Sequence, residues 1–206
     1  IVFEYSGLVI VMILIWLFMK FIDKQPLIEI GFQTQGRSKE INYGILFGLF
    51  IMAFAFVFLS TIGEIVFLSD SLDFNQILLS IALFIGVSFF EEIIFRGYML
   101  KNLLESFNPF VALLISSLFF SLIHASNPNV TSLGLCNIFL AGIFLGVSYV
   151  FTKNLWFPIA LHFSWNFFQA MFGFKVSGLD SYSIIEFMIP DNNMINGGEF
   201  GFESSI

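Results

Sequence analysis

The stretch FFEEIIFRGY, Phe89 to Tyr98, sets two glutamates side by side and an arginine four residues on, inside an otherwise apolar run. In lipid, a charged residue at a helix centre costs about 2.5–3.5 kcal/mol. Two acids and a base, all charged and unpaired, would cost on the order of 8–10 kcal/mol. Such a run therefore needs either internal pairing or a polar site to face. On a helix, Glu92 and Arg96 are i, i+4 neighbours and meet. Glu91 is turned 100° away, so the spacing assigns Glu92 to a structural pair and leaves Glu91 free for chemistry.

The rest of the chain identifies the solvent around that run. Of 206 residues, 58% are hydrophobic, 11% are charged and 31 are phenylalanine, with a mean hydropathy of +0.92. A soluble domain carries a smaller apolar fraction. Apolar stretches at 7–22, 44–66, 76–100, 110–124, 134–151 and 155–172 predict an all-α polytopic transmembrane helix bundle of about six spans. The fourth and sixth are short for a ~30 Å hydrocarbon core, which needs about 20 residues.

Seven of the eight basic residues fall on one side of these spans, only Lys175 on the other. That is the cytoplasmic bias of the positive-inside rule. The net charge of −7 gives no reason to expect a nucleic-acid partner; the lipid bilayer is the first one. The single cysteine, Cys136, lies within a predicted span and forms no internal disulfide. The chain begins at Ile1 close to an apolar span, without a basic leader, and ends in GGEFGFESSI. It reads as part of a longer protein. Three regions are expected: N-terminal helices and a polar connector over 1–75, a four-helix core over 76–172, and a polar, Gly-rich segment over 173–206 left mainly as loop. Within the connector, PLIEIGF (26–32) has the pattern of a short interfacial piece. Gly44/Gly48 and Gly142/Gly146 are small-xxx-small pairs, read as close helix packing. Glu64 is read as an interfacial acid.

Both histidines also fall in predicted spans, where ionisable groups are usually functional. His124 ends FFSLIH, with Phe120 one turn earlier; His162 shares a helix face with Asn166. The midpoint between Glu91 and His124 falls on SFNPF, where Asn108-Pro109 marks a turn. A hairpin pivoting there puts the two side chains at one level. His162 reaches that level only if the hairpin protrudes about 12 Å further than the next turn. ASNPNVTS, after His124, then needs cover from protein or a wet cavity. Two imidazoles and a carboxylate also make a catalytic zinc set, while no HExxH helix is present. Ser164, about 200° around the helix from His162, is poorly placed as its partner.

EEIIFR (91–96), FSLIH (120–124) and HFSWN (162–166), in this order, resemble the motifs of the CAAX-protease and bacteriocin-processing (CPBP, or Abi) family of intramembrane proteases. LAGIFLGVSYVFTKNLWFPIALHFSWN and GGEFGFESS resemble that family's later segments, so the resemblance spans roughly 88–205. It implies a hydrolase that cuts hydrophobic peptides or membrane-protein termini. Glu91 would be the general base, His124 its assistant, and His162 with Asn166 the binders of an oxyanion or a metal. Glu92, Arg96 and Phe120 would be supporting residues. Family accounts include both a zinc metalloprotease, with Glu91, His124 and His162 as ligands, and a metal-free glutamate mechanism. The sequence leaves both open. Alternatives are an idle scaffold that binds a partner membrane enzyme, and an ion transporter. The Phe/Ile/Asn-rich, Arg-poor composition suggests an AT-rich bacterial genome, and hence a bacterial plasma membrane.

Overall fold

The computed structural model describes residues 2–206, with side chains from Tyr5 onward. It is a bundle of six long helices, two short strands and several single turns. Helix α1 runs Val2–Phe18, α2 Ser38–Thr61, α3 Phe74–Ser106, α4 Pro109–Ile123, α5 Ser132–Thr152 and α6 Trp156–Met171. Five of them, counting the turns that extend α1 and α4, are long and apolar enough to cross a membrane. The sixth predicted span, α6, falls below that length. It has 16 residues, about 24 Å at 1.5 Å per residue, and ten of them are buried, including Pro158, His162 and Met171. It packs chiefly on α2 and α3.

The glycine pairs fix that position. An added Cβ at Gly44 would lie 2.8 Å from Ala160 Cβ, and one at Gly48 would lie 2.7 Å from the Trp165 nitrogen. Helix α2 thus presses its bare backbone against α6, and Ser164 Oγ donates to Ile45 O across the seam at 2.6 Å. In the second pair, Gly142 of α5 lies against Ser117 of α4, and Gly146 against Leu113. Small residues let the backbones approach where no hydrophobic force separates helix from lipid.

The α3–α4 hairpin turns where the sequence predicts. Asn108 Oδ1 caps α4 by accepting from Val111 N at 3.0 Å, with Pro109 in the first turn, where a missing N–H does no harm. Helix α3, at 33 residues, is about 50 Å long, which supplies the protruding length. It is not uniform: Phe74–Glu92 is α-helical, Ile93–Leu100 is π-helical and Lys101–Ser106 is α-helical again. The widened turn exposes Phe95 O to Ser116 Oγ of α4 at 2.8 Å. Arg96, counted above with the loop cations, is an interior residue 1% exposed. Six loop cations remain on that side against Lys175.

Two further segments take definite form. The connector piece is a single 3-10 turn, Leu27–Ile30, with Ile30 fully buried. Tyr149 Oη donates to Ile30 O at 3.0 Å, and Leu155 N to Gly31 O at 2.9 Å, so it plugs the α5–α6 turn. The C-terminal segment is mainly loop, as expected, with one strand and two 3-10 turns set in it. Its strand β2, Ile185–Met188, pairs antiparallel with β1, Val66–Asp70, which follows α2. Beyond β2, Asn193 and Asn196 both donate to Glu64 Oε2 at 2.7 Å. Glu64 therefore anchors the tail.

Candidate active site

Glu91 and Glu92 are the last two residues of the α-helical part of α3, just before the backbone widens. The change of helical pitch leaves the i, i+4 pair intact: Arg96 NH1 donates to Glu92 Oε1 at 2.8 Å with both side chains buried. Arg96 NH2 donates to Gly142 O at 3.2 Å, and its guanidinium lies 4.2 Å over the Phe120 ring. Phe120 also packs edge-on to Phe95 and His162 and against His124. The supporting residues form one buried unit beneath the histidines.

One contact lay outside the reach of sequence periodicity. His162 Nδ1 is 2.8 Å from Glu92 Oε1, so Glu92 holds an imidazole as well as an arginine. His124 Nδ1 is 2.8 Å from Phe120 O, and a carbonyl can only accept, so that nitrogen carries the proton. A carboxylate partner sets the same tautomer on His162. Both imidazoles thus turn Nε2 inward. His124 Nε2 lies 4.0 Å and His162 Nε2 3.8 Å from Glu91 Oε2, an oxygen that accepts no hydrogen bond.

These groups line one cavity of about 800 Å³. Asn166, one turn beyond His162, lies on the same wall, with apolar cover from Phe84, Phe90 and Phe144. Ser164 does not line it. The segment after His124 is tied to the tail at two points but is otherwise exposed: Asn127 Nδ2 donates to Ser177 O at 3.0 Å, and Pro128 packs on Gly178. The cavity also includes Asn137, Ser177 and Glu203, which the sequence reading did not single out. The second acid in GGEFGFES was the signal available.

The donor chemistry suits a metal, but the spacing is loose. Tetrahedral bonds of ~2.05 Å put donors about 3.4 Å apart, less than the separations of 3.8 and 4.0 Å here. No three His, Cys, Asp or Glu side chains among the described residues gather closely enough to form a cage. The side chains as placed do not fit a preformed zinc site.

The fold and site define a polytopic membrane protein with a carboxylate and two oriented imidazoles enclosed among its helices. Residues 73–168 match the family model of type II CAAX prenyl endopeptidase Rce1-like proteins. This stretch, from the cap of α3 into α6, holds all three motifs, and its likeness to that model agrees with the CAAX-protease resemblance. The match leaves out the Gly-rich tail. No curated protein and no solved structure matches the chain.

Proposed function

We propose that the protein is an intramembrane endopeptidase in which Glu91 activates water against a peptide carbonyl of a hydrophobic peptide or membrane-protein terminus. The observation that carries this reading is the free Glu91 Oε2 between two inward Nε2 atoms. A carboxylate and two neutral imidazole nitrogens are all acceptors, so they cannot bond one another. A water between them can donate to Glu91 and to one imidazole, which holds its oxygen lone pair toward the substrate.

Glu91 takes a proton as the water oxygen bonds to the carbonyl carbon. The Asn166 amide N–H, on the same wall, is the donor to the resulting oxyanion. The Glu91 proton then passes to the departing nitrogen as the C–N bond breaks, leaving an acid and an amine. Glu92 keeps His162 in its tautomer, and Arg96 and Phe120 keep Glu92 in place. No step is routed through a metal.

The test is cleavage of a panel of hydrophobic peptides by purified protein, read by mass spectrometry, with metal content measured on the same samples. Glu91→Gln should lower the rate by about 10²–10⁴, the usual share of a general base, while leaving the unfolding temperature unchanged. Activity that follows metal content instead would replace this mechanism with the zinc one. If wild type cleaves nothing across the panel, the scaffold that binds a membrane-enzyme partner becomes the better reading.

A further inference from the structure

The tail carries into the cavity a carboxyl group that this chemistry leaves unused. Glu203 follows a turn that only glycine can make. Gly201 has φ +107°, and a Cβ there would lie 2.1 Å from Lys175 O; Gly197 has φ +78°, and its Cβ would lie 2.0 Å from Gly201 O. The main chain around residue 203 is then fixed without help from the carboxylate. Asn137 Nδ2 of α5 donates to Glu203 O at 2.8 Å and to Ser205 O at 2.7 Å. The Ser204 and Thr131 hydroxyls are 2.7 Å apart, and Phe200 is buried. The side chain is therefore available for something other than holding the loop.

Its carboxylate is hydrogen-bonded but has no countercharge. Oε1 accepts from Ser177 N at 3.0 Å and Ser177 Oγ at 3.2 Å, and Oε2 accepts from Gln169 Nε2 at 2.6 Å. Its own backbone N–H is a further donor to the carboxylate. Among the described residues no cation pairs with Glu203. Its neighbour Lys175 spends its ammonium on Glu199 at 2.8 Å and Asp180 at 3.9 Å. No described residue lining the cavity is Lys or Arg. Burial pushes the Glu203 carboxyl up to about 7 despite these neutral donors. A negative charge here is held at a penalty that a cation in the cavity would relieve.

We propose that Glu203 is a specificity-determining residue, selecting peptides that place a lysine or arginine side chain in the cavity beside it. This deepens the peptidase reading and rests on it. The other ionisable groups on the cavity wall are Glu91, His124, His162 and Asp180; α6 presents the neutral Gln169. As pH rises through 7, Glu203 ionises while a substrate lysine stays charged, so selectivity for lysine rises. The two histidines share the cavity, so variants at position 203 are needed to isolate the part played by Glu203.

The experiment uses apolar ten-residue peptides in which one lysine or one norleucine is scanned through the sequence. Binding to the whole protein in detergent is read by fluorescence anisotropy, and cleavage by mass spectrometry. At the favoured position lysine should bind about 10-fold tighter than norleucine at pH 8, a difference of about 1.4 kcal/mol. The ratio should shrink severalfold at pH 6, vanish in Glu203→Gln and persist in part in Glu203→Asp. If Glu203→Gln fails to fold, the wild-type pH comparison and the Asp variant still decide. Lysine preference at no position, or a preference that survives in Glu203→Gln, overturns the proposal. Selective binding without cleavage overturns the peptidase reading and leaves the role of Glu203 standing; cleavage without selectivity does the reverse. If no peptide is bound or cleaved, both fail.

Discussion

Glu91 and Glu92 are chemically identical neighbours separated in role by 100° of helix rotation. Glu92 faces Arg96 and His162, both at 2.8 Å, in full burial. Removing one partner of a buried pair leaves the other charge uncompensated, at about 3–5 kcal/mol. Glu92→Gln should therefore lower the unfolding temperature strongly, as scanning calorimetry or fluorimetry in detergent would show. It should also slow cleavage, because His162 loses the carboxylate that fixes its tautomer. Glu91→Gln touches no such pair, so the two variants separate stability from chemistry. The i, i+4 pairing was legible in the sequence because it lies within one helix turn. The Glu92–His162 bond was not, since it joins residues 70 apart in the chain and depends on how α6 is rotated.

That rotation is set at the scale of elements. Gly48 is the tightest point of the α2–α6 seam, where an added methyl would sit 2.6 Å from Ser164 Oγ. Gly48→Ala should push α6 outward, destabilise the fold by about 1–3 kcal/mol and carry His162 and Asn166 out of register. Paired measurements of unfolding temperature and cleavage rate would show both effects together; an unchanged rate would mean the seam does not set the site. Hydropathy located α2, α3 and α5 well because lipid demands long apolar runs. It placed residues 62–66 in the second span although α2 ends at Thr61, since IGEIV continues the apolar run up to the start of β1. The π-helical stretch Ile93–Leu100 left no mark either. The carbonyl it frees, Phe95 O, is taken by Ser116 from a neighbouring helix, a contact that no local pattern reveals.

Across the whole molecule, the tail closes what the helices begin. It links β1, Glu64, the α5 terminus and the cavity wall through polar contacts among segments far apart in sequence, which is why periodicity missed it. With a folded pKa raised from 4.5 to about 7 by burial, Glu203 favours the docked tail most below pH 4.5. That contribution is lost as pH rises through 7, by up to about 3 kcal/mol at 1.36 kcal/mol per unit. Wild type should thus lose thermal stability between pH 5 and pH 8 by more than Glu203→Gln does, as matched melting curves in detergent would test. Helix α6 has a different consequence, for biogenesis. A 16-residue segment with His162, Ser164, Asn166 and Gln169 buried is a poor candidate to enter lipid alone, where each polar group would lack a partner. Its glycine-lined berth on α2 leaves the ribosome more than a hundred residues earlier. The half of the bundle that carries the candidate site would then be completed by docking onto helices already in the membrane, so His162 would reach Glu91 and His124 only after both are in place.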